Sequence, residues 1–397
     1  MIYLITILFW VSSFLVAYPY VIYPLLLVLI NRLGYGKGWK SECVTLPADS
    51  DKGTHPSVTM IIAAYNEQSI IAQKIDNALQ LGYSGKLEII VISDGSTDDT
   101  ADIVESYSER YRNVKLVRMT TQSGKTLGLN TAVPQSSGEF LVFTDANALY
   151  DSDALSQLLV PFEDGSVGYT VGSALYLEED VEAVNVSEGL YWRYELAIKK
   201  LESAFHSVVG GDGAIYAIRR SLYSPLESYD ISDFVNPLQI ISKGFRGVFV
   251  PEARSFEGGT AEFADEFRRK RRIVNRSWGA VRRNWKLFSW SKNPEFLFML
   301  LSHKVIRWWS FPLVLVALLS CVAICLISGS LFYLMICLII VSSIVVGFLG
   351  WRLDIAQREM PKMVYLLYYF YLVSLSGMLG IVDDLRGQRQ SIWQPTR

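Results

Sequence analysis

The sequence predicts an α/β domain on a mostly parallel sheet, set between apolar segments long enough to cross a bilayer. Three observations carry that prediction. Short apolar runs alternate with helix-like stretches through the middle of the chain, the pattern of parallel strands with helices on both faces. Acids stand just past or at the ends of three of those runs, at Glu67, Asp94 and Asp145, along the edge where open α/β sheets bind ligands. Residues Met1–Ile30, Phe311–Ser328, Leu331–Trp351 and Met363–Val382 are nearly all apolar, each near the roughly 20 residues a bilayer core demands.

Composition agrees. With 51% of its 397 residues hydrophobic, the chain is too apolar for an ordinary soluble enzyme. Its formal net charge of −2 points to no particular partner. The cysteines (Cys43, Cys321, Cys325, Cys337) form no Cys-x-x-Cys pair, so neither a disulfide framework nor a zinc site is indicated. His55, His206 and His303 are scattered, which argues against a histidine metal cluster. We divide the chain into an N-terminal anchor (1–31), a linker (32–55), the α/β domain (56–265), amphipathic interface helices (266–310), transmembrane or interfacial helices (311–382) and a tail (383–397).

The elements follow in order. Residues Met1–Ile30 lack the basic start and small-residue cleavage site of a signal peptide, so they read as a retained anchor. Pro19 and Pro24 are positions for a kink. Arg32, Lys37 and Lys40 follow, which by the positive-inside rule leaves the N-terminus outside and the domain in the cytoplasm. Val58–Ala64 is a buried strand leading into Ala63-Ala64-Tyr65-Asn66-Glu67, and a helix spans Ser69–Leu81. Leu87–Ile92 is the next strand, ending in Ser93-Asp94-Gly95-Ser96-Thr97-Asp98-Asp99-Thr100, turn residues that pass into helix N-cap residues. A helix to about Tyr111, a strand over Val114–Arg118 and a helix opened by Gly124-Lys125 come next. Glu139–Thr144 is the fourth strand, with Asp145-Ala146-Asn147 at its end and a helix over Asp151–Leu159. An unpaired carboxylate at a buried strand end is costly unless a cation or hydrogen bonds satisfy it. Asp145 is therefore a candidate ligand for Mg2+ or Mn2+, an ordinary turn acid being the alternative. No glycine-rich loop of the dinucleotide or triphosphatase kind is present, which counts against dehydrogenases and kinases.

Taken together, Ala-Ala-Tyr-Asn-Glu, Ser-Asp-Gly-Ser-Thr-Asp-Asp-Thr, Gly-Lys-Thr-x-x-Leu-Asn and Thr-Asp-Ala-Asn resemble the family 2 inverting glycosyltransferases. The resemblance covers Val58 to about Arg283. With the flanking apolar segments it is closest in type to the membrane-integrated polysaccharide synthases that make hyaluronan, chitin or cellulose. It implies an A-type glycosyltransferase domain, a Rossmann-like mixed sheet that binds a nucleotide sugar. It also implies a UDP-sugar donor lined by Ala63, Tyr65, Glu67, Asp94, Lys125 and Asp145. Tyr65 would stack on the base, Asp94 would accept its imide N–H, and Lys125 would reach phosphate or sugar. Where the family carries Asp-x-Asp for the metal, this chain has Asp145 and Asn147; an amide oxygen still coordinates a hard cation but brings no charge. The segment Gly210-Gly211-Asp212-Gly213 resembles the family's donor and acceptor lining, with Gly211 at its centre. In Tyr229-Asp230-Ile231-Ser232-Asp233-Phe234 the resemblance places the general base at Asp233, with Asp230 as the alternative.

From Phe267 to Phe288, Phe267, Val274, Trp278, Val281, Trp285 and Phe288 make one apolar stripe beside many arginines and lysines. Such a helix reads as lying in a membrane interface; nucleic-acid binding is the weaker reading because apolar segments flank the domain. Processive family members carry Gln-x-x-Arg-Trp here, and this chain has Arg269-Lys270-Arg271-Arg272-Ile273. The resemblance implies that Arg269 and Arg272 face the diphosphate, while the lost tryptophan weakens the case for processivity. The ending Trp393-Gln394-Pro395-Thr396-Arg397 resembles a Trp-x-Thr-Arg signature, with one extra residue, that folds back toward the nucleotide. Three full crossings after a cytoplasmic domain would leave that tail outside. The tyrosines of Met363–Val382 suit an interfacial or re-entrant lie instead, which returns it to the cytoplasm.

The expectation is thus a multi-pass enzyme of the cell (inner) membrane. It would transfer sugar to a growing polysaccharide or, alternatively, one sugar to a lipid-linked acceptor, as a homo-oligomer or with an export partner if it encloses a channel. The apolar segments carry almost no charge, which argues against an ion pathway.

Overall fold

Parallel strands covered on both faces need apolar side chains along their whole length, and Val58–Ala64 (β1) meets that demand, with six of its seven residues buried. The computed structural model describes residues 2–36, 55–176, 183–258, 263–287 and 293–389. Leu87–Asp94 (β2) and Phe140–Asp145 (β4) flank β1 in parallel, and Val114–Met119 (β3) adds to the outer edge of β2. Ala63 stands opposite Ile92 on one side and Asp145 on the other, so the carboxyl ends of the three central strands finish nearly level. The sheet then becomes mixed. Tyr216–Arg219 (β7) runs antiparallel between β4 and Val167–Tyr176 (β6), and Arg246–Glu257 (β8) pairs with β6 in parallel. Leu149–Tyr150 (β5) closes the order β3-β2-β1-β4-β7-β6-β8-β5.

Two cores follow from the two faces. Ile71–Leu79 (α3), Thr100–Arg110 (α4) and Ala154–Leu159 (α6) cover one face through Ile71, Ile75, Val104, Leu155 and Leu158. Lys125–Ala132 (α5), Ala183–Phe205 (α7) and Ser232–Ser242 (α8) cover the other through Leu129, Ile198, Val235 and Leu238. Among the described residues, four long helices are apolar enough to cross a membrane, within Ile2–Arg32, Ser310–Ser328, Leu331–Ile355 and Lys362–Leu385.

The first of these packs against two different partners. Ile2–Ala17 (α1) lies along Ser310–Ser328 (α12), where Phe9, Ala317, Cys321 and Ile324 are buried together. A wide turn over Tyr18–Ile22, which contains Pro19, leads to Tyr23–Arg32 (α2). There Tyr23 and Leu27 have no exposure and join the domain core. The Tyr23 hydroxyl donates to Glu202 of α7 at 2.7 Å, and Asn31 Nδ2 donates to the Leu201 carbonyl at 3.0 Å. The sequence assigns 1–31 to the anchor as one piece; within it Tyr23 and Leu27 pack with core residues of the domain.

The basic helix, Phe263–Asn284 (α9), runs beside Lys362–Leu385 (α14) rather than resting on lipid alone. Phe263 packs on Tyr365 and Tyr368, while Gly380 lies against Arg271 and Asn275. Arg271 grips Asp383 with both Nε (2.6 Å) and Nη2 (2.8 Å), and Arg282 reaches Asp384. Of the expected stripe, Val274 and Val281 are buried in the domain core, and Trp278 sits edge-on to Trp308 and Trp309. Trp285 is exposed, and Phe288 falls outside the described residues. Because α14 follows α9, the chain returns to the domain before it ends: Arg389 and Arg283 each lie 4.4 Å from the Tyr229 ring centre. Leu331–Ile355 (α13) is the most exposed of the long helices.

Candidate active site

Two loops at the carboxyl edge are locked to each other before any ligand is considered. Asn66 adopts a left-handed conformation (φ 53°), which turns its Oδ1 to accept the Thr97 N–H at 2.8 Å. The Glu67 N–H donates to Thr100 Oγ1 at 2.8 Å, and the Asp99 N–H donates to Gln68 Oε1 at 3.1 Å. Tyr65 stands half-buried at this rim, Ala63 lies partly open just before it, and the Glu67 side chain is buried. Asp94 is also buried, and its two oxygens accept the Ser123 and Gly124 N–H groups, both at 2.8 Å. Gly124 is the N-cap of α5, whose first N–H groups have no partner within the helix. Asp94 thereby fixes the start of the helix that carries Lys125.

Lys125 reaches the strand end of β4. Its ammonium donates to Asp145 Oδ1 at 2.5 Å and lies 3.4 Å from the Gly213 carbonyl. A side chain at Gly213 would begin 3.2 Å from Asp145 Oδ2, 3.6 Å from Lys125 Nζ and 3.8 Å from Asp233 Oδ2. The glycine thus leaves open the space on which all three groups converge. Gly211 has a different reason to be glycine: its N–H donates to the Asp233 carbonyl, and a Cβ there would lie 2.7 Å from that oxygen. Asp233 opens α8. Burial pushes its carboxyl above the ordinary range; Lys125 pulls it down, and Asp212 and Asp145 push it up.

Asp230, the alternative base, is committed elsewhere. Its carboxylate accepts from Arg283 and from the Glu227 N–H (2.9 Å), and its carbonyl accepts from Thr126 (2.8 Å) and Arg276. Arg272 faces the site: burial and Arg269 lower its guanidinium, while Asp145 and Asp233 act in the opposite sense. Arg269 is bound to Glu266 at 2.6 Å. Trp393 and Arg397 lie outside the described residues.

Three participants carry no sequence signal that singled them out. Lys74 of α3 is fully buried beneath the turn after β4, where it donates to Thr144 Oγ1 (3.0 Å) and to the Ala148 carbonyl. Burial lowers its ammonium to about 7, although Asp145 and Glu257 act to raise it. Asp212 is paired with Lys199 at 3.0 Å. Glu257, at the end of β8, is raised to about 8 by burial and by the Asp145 and Asp212 carboxylates, against Arg269 and Lys125. Asp212 lies within a segment already marked by its glycines; nothing about Lys74 or Glu257 separates them from ordinary helix and strand residues.

The donor set suits a hard divalent ion held in part by its substrate. Asp145 offers Oδ2 toward the space over Gly213, and Asn147 is exposed in the turn that follows. Among the described residues no group of three or more His, Cys, Asp or Glu is placed to hold an ion. One carboxylate and one amide would leave most of the shell to phosphate and water, as is usual for Mg2+.

Comparison with known proteins follows the same geometry. The family model "Glycosyl transferase family 2" matches residues 59–225. A β-monoglucosyldiacylglycerol synthase of Nostoc sp. is 29% identical over 170 residues, 41% of this chain and 35% of that protein. A poly-β-1,6-N-acetyl-D-glucosamine synthase of Staphylococcus epidermidis is 32% identical over 106 residues, 27% of this chain and 25% of that protein. The matched stretches thus span about a third or less of these relatives' lengths. The mannosyltransferase PcManGT of Pyrobaculum calidifontis, solved with GDP-Man and Mn2+, superposes with a TM-score of 0.66 at 22% identity, over 96% of this chain and 99% of that one. That likeness is one of fold, and it extends over nearly the whole chain. Residues 59–225 thus match the glycosyl transferase family 2 model, and the mixed α/β sheet that carries them shares its fold with that mannosyltransferase.

Proposed function

We propose that this protein is a membrane-bound, inverting glycosyltransferase that moves a sugar from a UDP-sugar to an acceptor presented at the bilayer. The observation that carries the reading is the convergence of Lys125, Asp145 and Asp233 on the space kept open by Gly213. Donor binding falls to the carboxyl edge of the sheet, with Tyr65 against the base, Asp94 at the start of α5, and Lys125 and Arg272 beside the diphosphate. Asp145 and Asn147, with the diphosphate, would hold Mg2+ or Mn2+, which supplies Lewis acidity toward the leaving group. Asp233 accepts the proton of the attacking hydroxyl. The new glycosidic bond forms at the anomeric carbon as its bond to the diphosphate breaks on the opposite face, so the configuration inverts.

The charge at the end of α2, Arg32 with Lys37 and Lys40 beyond it, supports a cytoplasmic domain in a multi-pass inner-membrane protein. The staphylococcal relative's name favours extension of a polysaccharide; the small size of the cavity beside Asp233, about 160 Å³, favours one sugar on a lipid-linked acceptor. Product sizing separates the two, as a ladder or a single addition. The central test is Asp233→Asn in the full-length protein in lipid, with a panel of UDP-sugars. Transfer is expected to fall at least about a hundredfold with UDP affinity retained; transfer at the wild-type rate would remove Asp233 from the chemistry. Asp145→Ala is expected to abolish the dependence of donor binding on Mn2+, and an unaltered metal titration would reject that ligand.

A further inference from the structure

Val209, Gly210 and Gly211 line the cavity beside Asp233, and the segment they belong to is tied at both ends. At one end the Val208 N–H donates to the Gly247 carbonyl at 3.1 Å, and the Tyr169 hydroxyl donates to the Val208 carbonyl. At the other the Gly211 N–H donates to the Asp233 carbonyl. Gly210 takes φ 87°, and a side chain there would begin 3.4 Å from the Phe234 ring. Between the two ends the Val209 N–H donates to Glu202 Oε2 at 3.0 Å. A shift of Glu202 is therefore passed through two residues to the backbone of Asp233.

Glu202 has no exposure, and its place is set by what meets its other oxygen. Oε1 accepts from the Tyr23 hydroxyl at 2.7 Å and faces His303 Nδ1 at 2.7 Å. His303 Nε2 faces Glu195 Oε2 at 3.1 Å. Burial acts to raise both carboxyls; Arg307 and His303 hold that of Glu195 well below its ordinary range, and His303 and Tyr23 hold that of Glu202 below it. An ionised carboxylate only accepts, so both ring nitrogens of His303 donate. The two ends of the ring are not equivalent. Glu195 is also paired with Arg307 and stands 3.8 Å from Lys304. Among the described residues, His303 is the one basic side chain paired with Glu202. His303 itself lies in a wide turn, Leu301–Val305, that leads through Ile306–Trp308 to α12. Such turns insert a residue into a helix and are frequent at functional sites.

We infer that His303 is a positioning residue for Asp233: by donating to Glu202 it fixes the carboxylate that holds Val209, and through Gly211 it sets the backbone at the start of α8. It touches neither donor nor acceptor and acts through Glu202. The placement of the base is thereby tied to the segment that enters α12. The inference rests on the transferase reading for what Asp233 does, and on the hydrogen bonds alone for the linkage.

Breaking a buried ion pair outright is destabilising, so the test keeps a donor at one end of the ring or the other, in the full-length protein in lipid. The amide nitrogen of His303→Asn falls where Nδ1 stands and keeps the bond to Glu202. That of His303→Gln reaches the place of Nε2 and keeps the bond to Glu195. With the best donor of the UDP-sugar panel, His303→Gln should lower kcat about ten- to a hundredfold, the scale of a misplacement of about 1 Å. The donor's KM and UDP affinity should not change. His303→Asn should stay within about threefold of the wild-type kcat. Amide exchange at residues 209–211, followed by mass spectrometry, should quicken in His303→Gln and not in His303→Asn. Equal losses in the two variants, a greater loss in His303→Asn, or wild-type kcat in His303→Gln would each overturn the inference. Glu202→Gln keeps the shape of the carboxylate and gives a second line. Its kcat should fall with UDP affinity retained, and a wild-type rate would again overturn the linkage. Failure of all three variants to fold and bind UDP would make the cluster a folding element only and overturn it too. Should the wild type turn over no UDP-sugar, the transferase reading fails. Faster exchange at 209–211 in His303→Gln alone would then still establish the linkage, and equal exchange would sink both.

Discussion

Lys74 holds the turn that carries Asp145 and Asn147, although it contributes nothing to the open face of the site. Its ammonium satisfies Thr144 and the Ala148 carbonyl and lies 4.3 Å from the Tyr150 ring centre. Lys74→Met keeps the stem and removes those bonds, a change of about 1–3 kcal/mol for a buried unsatisfied group. The turn should loosen and the apparent affinity for Mn2+ should fall several-fold; a metal titration that does not move would make Lys74 a packing residue only. Asp233 gives the pH prediction. A base works as the carboxylate, so activity rises with pH through its raised value. Burial is the main cause of that rise, and Asp212 adds to it. Asp212→Asn should therefore move the acid limb of kcat to lower pH, and an upward movement would contradict the assignment. At this scale the sequence is legible where an acid interrupts an apolar run, as at Asp94 and Asp145, or sits in a recognisable segment, as at Asp233. Lys74 is not, because a lysine in an amphipathic helix looks solvated until a turn from a distant strand closes over it.

The helix pair α9 and α14 shows where pattern reading stops at the level of elements. An apolar stripe beside arginines describes a helix on a membrane and a helix against protein equally well, since both surroundings are apolar. What decides is the identity of the partners. Asp383 and Asp384, both buried at the end of α14, take Arg271 and Arg282, and Arg276 and Arg283 turn the other way to the segment before Asp233. The α9 helix therefore joins the segment that leads into α8 to α14. A side chain at Gly380 would meet the Arg271 carbonyl at 2.6 Å and the Asn275 nitrogen at 2.9 Å, so Gly380→Leu should part the two helices. Activity should fall with UDP affinity retained, and transfer at the wild-type rate would show that the contact is dispensable. The strands read as expected up to β4; β5, β6 and β8 were not separated, because their pairing depends on partners far along the chain.

At the scale of the molecule, the apolar segments were legible from length and hydropathy alone, but their uses were not. Composition could not tell an exposed α13 from an α14 that is half buried along α9, nor mark the point inside residues 2–32 where the chain turns from α12 to the domain core. That point is the turn over Tyr18–Ile22. Beyond it Leu27 is a core residue, and Leu27→Ala should cost about 2–5 kcal/mol, measured by thermal unfolding in lipid. A loss below about 0.5 kcal/mol would place α2 outside the cooperative unit.

The burial of Tyr23 in that core bears on how such an enzyme can be handled and regulated. Deleting residues 1–32 would not leave an intact domain; it would pull a plug from the centre of the fold and expose the ring's socket and the Glu202 carboxylate to water. The leading helix and the domain core are consequently a single unit, kept or lost together.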